Sequence, residues 1–347
     1  MSLPEGKSMS RRMLGFFLKI IIPMIVSVGL CWILFRGDSL EELVAVMKER
    51  CDYRWILAMT LLLSLTYLIR AVRWGQQLEA VGVKASLWTR VVSIFGTYAV
   101  NLVFPRLGEV WRCGFVAHRE RAQFSVVAGT VIADRLADLL SGISFILATL
   151  LFGHDAIRRF ISRYPAFYDS LMRIVTSPWL WIAVAVAVIA AVWFLRGSGG
   201  GAVMTRLRNF GRGLWDGFYG IRLMRHKWRW LALTIALWGC YFTQMILAFQ
   251  AFQFTQDIFA GHGIVAVLVC FTLGSMAMGV PSNGGIGPYQ IALIFGLSLY
   301  MPDSADPAVF EMESKAFANV VLGASTLLSV LLGLIAFLSI ALSKRRR

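Results

Sequence analysis

The sequence predicts an all-α, polytopic membrane protein with about six full transmembrane helices and two re-entrant helical hairpins arranged as an inverted repeat. Three observations support this prediction. The chain of 347 residues is 58% hydrophobic and 15% charged, whereas soluble domains are typically about 25% charged. Apolar stretches of membrane-spanning length recur along the chain. Two further apolar segments are interrupted near their middle by proline and glycine, which break helices.

The long apolar stretches are expected to be the full spans, because about 20 apolar residues in a helix cross about 30 Å of hydrocarbon. Their nearly uncharged central parts are residues 20–35, 55–69, 139–152, 178–195, 230–252 and 316–342. Polar shoulders flank several of them, so their ends are defined only to within several residues. Six is an even number, which places both termini on the same side of the membrane.

The two interrupted segments are predicted to be the re-entrant hairpins, at residues 87–121 and 264–300. The arms on either side of each interruption are too short to cross the membrane comfortably. Both interruptions contain the pattern Pro-x-x-Gly, which begins at Pro105 in the first hairpin and at Pro281 in the second. Each hairpin would therefore enter and leave the membrane on one side.

The positions of the hairpins divide the single membrane domain, residues 1–347, into two halves. The first half, residues 14–152, contains hairpin 87–121, and the second half, residues 178–342, contains hairpin 264–300. Each hairpin is preceded and followed by a predicted span, so the halves have opposite orientations. Inverted repeats with interrupted segments in matching positions are typical of transporters, and the interruptions point to the substrate site.

The net charge of +15 raises nucleic acid as a partner, but the basic residues lie in the loops between apolar spans. Basic loops face the cytoplasm in membrane proteins, so the charge indicates orientation and no nucleic-acid partner is expected. Both termini and segment 196–229 are basic and are predicted to be cytoplasmic. Segments 36–54 and 301–313 are predicted to lie outside, with a helix at 38–50 along the outer interface.

Arg106, Glu109 and Arg112 are spaced by three residues. On a helix that begins near Pro105 they would share one face with alternating charge. The arginines could then bind a lipid phosphate in a bidentate manner, with Glu109 as counter-charge. The alternative is a surface cluster at the level of the cytoplasmic head groups, and the spacing leaves both interpretations open.

Asp134, Arg135 and Asp138 interrupt an apolar stretch that runs from residue 124 to 152. Each charge costs about 2.5–3.5 kcal/mol at the centre of a membrane helix. A helix with three such charges must turn them toward the protein interior or water, which favours a functional site over internal ion pairing alone. By contrast, Arg70 and Arg73 at the end of the second span are interpreted as interface anchors.

The glycine loop of the second hairpin precedes a half-helix that follows Pro288. Backbone N–H groups of Gly284, Gly285 and Gly287, together with Asn283, would attract an anion such as a phosphate. The alternative is a tight loop at the membrane surface. Irregular backbone at membrane depth is tolerated where it lines a cavity or is buried in protein, which favours the functional interpretation.

The remaining chemistry-bearing residues predict no catalytic residue, no metal and no cofactor. The five cysteines are single, and the four histidines lie in different loops. No nucleotide-binding loop, serine nucleophile motif or HExxH motif is present. The candidate substrate-binding residues are Asn101, Arg106, Glu109, Arg112, Asp134, Arg135, Asp138, Asn283, Gly284, Gly285 and Gly287.

These motifs, taken in order, resemble a known family. They are Tyr67-x2-Arg70-x2-Arg73-Trp74, Asn101-x3-Pro105-Arg106-x-Gly108-Glu109-x2-Arg112, Asp134-Arg135-x2-Asp138 and Pro281-x2-Gly284-Gly285-x-Gly287. They are similar to the lysylphosphatidylglycerol synthase transmembrane family, also called flippase-like, and to the membrane half of the multiple peptide resistance factor without its soluble synthase domain. The resemblance covers residues 14–342. One departure is Asp134, where many relatives are expected to have Glu.

The resemblance implies a multi-pass protein of a bacterial or archaeal cytoplasmic membrane that moves lipids or lipid-linked substrates between leaflets. In this hypothesis Arg106, Arg112 and Arg135 compensate a phosphate, and the acids hold the arginines or titrate in a proton-coupled cycle. Two alternatives remain open. One is an intramembrane transferase that uses Glu109 or Asp138 as acid or base. The other is a non-catalytic membrane partner of an enzyme of lipid or glycan synthesis.

Overall fold

The computed structural model describes residues 40–183, 185–186, 189 and 202–345, and this part of the chain folds into α-helices without a β-strand. The predicted all-α class is confirmed. The predicted span 20–35, part of the span 178–195, the charged N-terminal segment and the last two residues lie outside the described residues. Residues 178–183 are helical.

The helices are α1 (Leu40–Arg50), α2 (Tyr53–Ala80), α3 (Leu87–Val103), α4 (Leu107–Arg119), α5 (Phe124–Phe152), α6 (His154–Arg163), α7 (Pro165–Val175), α8 (Ala202–Leu223), α9 (Lys227–Phe249), α10 (Gln253–His262), α11 (Ile264–Ala277), α12 (Pro288–Ser298) and α13 (Pro307–Arg345).

Within the described residues, four helices are long and apolar enough to cross a membrane: α2, α5, α9 and α13. A fifth span results if α10 and α11, which bend by 116° at the residue between them, are counted as one. That residue is Gly263, whose φ of 62° suits glycine. The predicted count of six full spans and the inverted repeat stay predictions.

The long helices present apolar side chains outward, as lipid contact requires. On α2 the exposed residues Leu57, Leu61 and Leu65 are four apart and form one stripe. On α5 the outward residues include Leu147 and Leu151. Exposed leucines in this periodic arrangement are typical of helices that face hydrocarbon rather than water.

The first interrupted segment forms the predicted pair of short helices, α3 and α4, which pack against each other. The break lies between Val103 and Leu107, and it contains Arg106 in the left-handed conformation with φ 63°. Asn101 closes the break, because its side-chain oxygen accepts a hydrogen bond of 2.8 Å from the amide of Gly108. An otherwise unsatisfied N–H at the start of α4 is thereby capped.

The second interrupted segment also forms two short helices, α11 and α12, separated by residues 278–287. Three glycines of the loop have positive φ, namely 65° at Gly284, 91° at Gly285 and 92° at Gly287, which explains why glycine stands at these positions. The short helix α10 before the bend was not predicted. A helix breaker outside the proline-rich centre, Gly263, therefore also shapes this half.

The two breaks touch each other. The Arg106 guanidinium donates a hydrogen bond to the carbonyl oxygen of Gly279. A Cβ added at Gly284 would lie 2.5 Å from the Leu102 side chain, so the loops approach closely only because this position is glycine. The interruptions predicted from proline and glycine thus meet in space.

Two apolar cores hold the helices together. One contains Phe249 of α9 and Phe317 of α13, packed edge to face at 5.7 Å between ring centres. The other contains Trp74 of α2 and Val116 of α4, and it also draws on α3 and α5. This second core is the part of the fold that positions the charged residues.

Helix α8 lies within segment 196–229, for which the sequence predicted only a cytoplasmic location. It crosses α5 at glycines on both helices: a Cβ at Gly129 would lie 2.3 Å from the Leu214 carbonyl oxygen, and one at Gly217 would lie 2.2 Å from the Val126 carbonyl oxygen. Small residues allow helix backbones to approach in this way. The crossing fixes the first turns of α5, from which two cluster carboxylates follow.

Candidate functional site

Seven charged residues from α2, α4 and α5 converge in one network, which we call the charge cluster. Its members are Arg70, Arg73, Glu109, Arg112, Asp134, Arg135 and Asp138. Four arginines against three carboxylates leave one net positive charge. Five of these seven residues were predicted as candidate site residues, and the structure brings those five together.

Asp134 is the centre of the cluster and is fully buried. One carboxylate oxygen lies 2.5 Å from Nη2 of Arg73, and the other lies 3.4 Å from Nη1 of Arg70. Nη2 of Arg112 approaches the same second oxygen at 3.7 Å. A single carboxylate therefore compensates charge from two helices other than its own.

Asp138, one turn further along α5, shares the same arginines. Its oxygens lie 2.8 Å from Arg70 and 2.8 Å from Arg73, and 3.3 Å from Arg135. Glu109 bonds to Arg135 across the interface between α4 and α5. All three cluster carboxylates are thus paired with arginines, and within the described residues no group of three or more His, Cys, Asp or Glu is placed to hold a metal.

The interpretation of Arg70 and Arg73 as interface anchors is wrong. Their side chains are 4% and 0% exposed, and both are bound to the carboxylates of α5. The physical reason is that α2 packs against α5 with this face inward, so the arginines neutralise buried acids instead of reaching head groups. Neutral side chains of α9 complete their surroundings: Arg70 donates to Tyr241 at 3.3 Å and Arg73 to Thr234 at 3.5 Å.

Arg112 differs from the other buried arginines because its side chain makes no hydrogen bond. It is fully buried, and none of its three guanidinium nitrogens has a hydrogen-bond partner within the described part of the chain. Its compensation consists of Glu109 at 3.3 Å, Asp134 at 3.7 Å and the ring of Trp74, whose centre lies 4.4 Å from Cζ. The Trp74 ring is itself fixed by a 3.0 Å hydrogen bond from its Nε1 to Thr130. A buried guanidinium with donors to spare is suited to an anionic ligand.

The cluster is most accessible at Arg135, whose side chain is 41% exposed. Its neighbours on α5, at one, three and four residues' distance, are the exposed residues Leu136, Ile132 and Leu139. Because the exposed side chains around Arg135 are apolar, this edge of the cluster is suited to contact with lipid rather than with an aqueous loop. A charged group could therefore reach the cluster laterally, next to Arg135.

Arg106 does not join the cluster, and the predicted helix face shared with Glu109 and Arg112 is wrong. The helix begins at Leu107, one residue later, and Arg106 precedes it in the left-handed conformation. Its exposed side chain points instead to Gly279 in the second break. Arg106 is thus a connector between the two interruptions.

The other predicted site residues also lie at the breaks. Asn101 uses its side-chain oxygen to cap α4. In the glycine loop, the Ile286 amide donates to the Asn283 carbonyl at 3.2 Å, and the Gly287 amide donates to the Gln290 side chain at 2.9 Å. Of the amides predicted to bind an anion, that of Gly287 is therefore already engaged within the protein, as is the neighbouring amide of Ile286.

The fold and the cluster define an all-helical membrane protein with a buried, net-positive charge site beside two interrupted helix pairs. Residues 20–310 match the family described as the lysylphosphatidylglycerol synthase TM region, so the chain belongs to that family and the resemblance is confirmed. A UPF0104 membrane protein of Pyrococcus horikoshii is 29% identical over 133 residues, which cover 37% of this chain and 39% of the relative. The chain thus matches about two fifths of that relative's length. No solved structure matches the present chain significantly.

Proposed function

We propose that the protein moves an anionic lipid, or a lipid-linked anionic substrate, between the two leaflets of a membrane. Family membership supports a lipid-related function in the membrane. The observation that supports translocation most directly concerns Arg112. Its guanidinium is fully buried and has no hydrogen-bond partner in the described part of the chain. A phosphate oxygen would supply the missing acceptors through charge-assisted hydrogen bonds.

The charge balance of the cluster supports an anionic rather than a cationic substrate. With four arginines and three carboxylates, the side chains of the cluster have one uncompensated positive charge. A singly charged phosphodiester would neutralise it. Since each isolated charge inside a bilayer costs about 2.5–3.5 kcal/mol, binding the head group would lower the cost for the lipid and for the protein together.

The depth of the cluster supports a role on a path through the membrane. Arg73 lies about seven residues before the end of α2 and Arg112 about seven before the end of α4, which is roughly 10 Å at about 1.5 Å per residue. Asp134 lies about ten residues, or roughly 15 Å, from the start of α5. These three helix ends carry the polar turns 81–86 and 120–123, so the cluster lies below one surface of the membrane. We assign that surface to the cytoplasm.

This orientation follows from the basic segments around the apolar spans. In the same proposal both termini are cytoplasmic, the membrane is a bacterial or archaeal cytoplasmic membrane, and the two broken pairs belong to oppositely oriented halves. The head group would enter beside Arg135, where exposed leucine and isoleucine side chains border the cluster, so the acyl chains could stay in hydrocarbon. The contact between Arg106 and the second break links the two halves at the centre of this path.

The test is head-group accessibility in liposomes that contain the purified protein and labelled anionic lipids. The wild type is expected to accelerate movement between leaflets, and both Arg135→Ala and Glu109→Gln are expected to abolish the acceleration. Arg158→Ala, an exposed arginine on α6, is the matched control and should retain it. Unchanged rates in both cluster variants would contradict the proposal.

The same liposomes distinguish the alternative functions. A chemically altered lipid detected by mass spectrometry would indicate an intramembrane transferase. If no labelled lipid moves faster and none is altered, while a lipid-synthesis or glycan-synthesis enzyme co-purifies, the chain is a non-catalytic membrane partner.

A further inference from the structure

A charged cavity lies at the end of the helices that build the cluster. It has a volume of about 270 Å³ and lies between the turn that joins α2 to α3 and the turn that joins α4 to α5. Residues 81–84 line it from the first turn, residues 120–123 line it from the second, and Val126 lines it from the first turn of α5. We call it the turn pocket. Ligand pockets typically have about 300–1,000 Å³, so the turn pocket suits a head group rather than a whole lipid.

The side chains of the turn pocket give it a net positive charge. Lys84 and Arg121 are exposed, and Glu120 is the one acid among the lining residues. Within the described part of the chain, none of the three forms an ion pair or a side-chain hydrogen bond. Arg121 has φ 51°, a left-handed conformation that is unfavourable for a residue other than glycine and is often found at functional sites. The Arg121 guanidinium thus belongs to a strained turn that lines the pocket, and it forms no salt bridge with another described residue.

The turn pocket and the charge cluster are connected by all three helices of the cluster. Val81 directly follows the last residue of α2 and lies about eight residues after Arg73, which is roughly 12 Å at about 1.5 Å per residue. The same spacing of about eight residues separates Glu120 from Arg112 and Val126 from Asp134. The pocket therefore lies about two helical turns from the cluster, at the surface end of the same three helices.

A buried polar side chain lies between the two sites. Gln77 is four residues after Arg73 and four before Val81, so it continues the inward face of α2. It is 1% exposed, and neither atom of its side-chain amide has a hydrogen-bond partner in the described residues. Buried amides are normally hydrogen-bonded, so Gln77 offers one donor group and one acceptor on the line from the pocket to the cluster.

We propose that the turn pocket binds the phosphate of a membrane lipid's head group and that the lipid passes from there to the charge cluster. This inference rests on the proposed function, since the cluster is its destination. Lys84 and Arg121 hold the phosphate at the membrane surface, where a head group lies before it moves. Gln77 then contacts the head group as it descends along α2 to Arg73 and Arg112.

The experiment measures both binding and translocation. Binding of dihexanoyl phosphatidylglycerol and of inorganic phosphate to the purified protein is followed by native mass spectrometry, and translocation is followed in liposomes at several lipid concentrations. The double variant Lys84→Ala with Arg121→Gly removes both cations, and glycine suits the φ of residue 121. We expect it to weaken lipid binding about tenfold, which is a loss of about 1.4 kcal/mol, and to raise the half-saturating lipid concentration without lowering the maximal rate.

Two controls separate this inference from the proposed function. Arg112→Gln should lower the maximal rate and leave binding at the pocket unchanged, whereas the double variant Arg158→Ala with Arg163→Ala, on the exposed face of α6, should alter neither. If the wild type moves no lipid but the pocket variant still loses lipid binding, the proposed function fails and the binding site stands. Equal lipid binding by wild type and pocket variant overturns the inference. Stronger binding of inorganic phosphate than of the lipid overturns the lipid as ligand.

Discussion

The central carboxylate of the charge cluster allows the strongest test of how the site is held together. Asp134 is fully buried and lies within 4 Å of Arg70, Arg73 and Arg112. Replacing it with Asn keeps the shape and removes the charge, so the net charge of the cluster rises from +1 to +2. Removal of one partner from a buried ion pair typically costs about 3–5 kcal/mol. We expect a loss near the lower end, about 3 kcal/mol, because Arg73 retains Asp138 at 2.8 Å.

The matched double variant, Asp134→Asn with Arg73→Gln, returns the net charge to +1. Replacement of both members of a buried pair by well-packed apolar residues of similar volume is often close to neutral, and the two amides likewise leave neither member of the pair charged. We therefore expect the double variant to lie within about 1 kcal/mol of the wild type, which corresponds to a coupling energy of about 2 kcal/mol or more between the two positions. Asp303→Asn, in an exposed loop, is the control for the change of side chain itself.

The free energies are measured by titrating the purified protein from mild detergent into dodecyl sulfate and following tryptophan fluorescence. Trp74 is one of the 12 tryptophans that contribute to this signal, and its ring lies against Arg112 in the site. The reasoning is refuted if Asp134→Asn costs less than about 1 kcal/mol, the range of exposed pairs. It is equally refuted if the double variant loses the sum of the two single losses.

Three further predictions concern the scaffold around the site. Gly129→Ala should destabilise the protein by about 1–3 kcal/mol through overpacking against α8. The control Gly239→Ala should not, because nothing lies within 4 Å of a Cβ at that position. Thermal unfolding in detergent distinguishes the two variants, and equal melting temperatures would contradict the close crossing of α5 and α8. Asn101→Ala should cost about 1 kcal/mol through loss of the cap on α4, and an unchanged free energy of unfolding would argue against that cap. Arg106→Gly should preserve stability, because glycine suits the left-handed backbone, but should accelerate hydrogen exchange in the second break once the bond to Gly279 is lost. Unchanged exchange there would show that the contact does not hold the breaks together.

The helical class, the long spans and the two interruptions could be predicted because they depend on local chemistry. Proline lacks an amide hydrogen and glycine tolerates positive φ, so Pro105 and the glycines around Gly285 mark breaks wherever the chain places them. The structure puts these breaks at residues 104–106 and 278–287. Five of the seven cluster residues could be predicted for a related reason, since charges inside apolar stretches are rare and costly.

The full membership of the cluster could not be predicted, because it depends on which helix faces which. Arg70 and Arg73 lie near the polar end of an apolar stretch, where three-residue spacing fits an interface as well as an interior. A signal was present in Gln77: residues 70, 73 and 77 form one polar face at helical spacing within the 28 residues of α2. If Arg70 and Arg73 were only interface anchors, the polar face would not need to continue to Gln77. The continuation therefore indicates that this face of α2 is turned toward the protein interior.

The separation of Arg106 from the cluster had no signal in its spacing. Its position depends on one left-handed residue, and a shift of the helix start by one or two residues decides whether Arg106 shares a face with Glu109. Helices α8 and α10 were missed for another reason. The sequence of α8 is polar and that of α10 is short, so hydropathy does not predict either as a helix. In the structure α8 packs against α5 and α10 packs against α11.

The most direct test of the central claim compares translocation of an anionic lipid with that of a zwitterionic lipid in liposomes that contain wild type, Arg112→Gln or Arg158→Gln. The account predicts that wild type and Arg158→Gln move the anionic lipid faster than the zwitterionic one. Arg112→Gln should lose this preference, because the cluster then has no net charge and its hydrogen-bond donors are reduced. Unchanged preference for the anionic lipid in Arg112→Gln, with the protein folded and inserted, would contradict the claim that the buried cluster compensates a head-group phosphate.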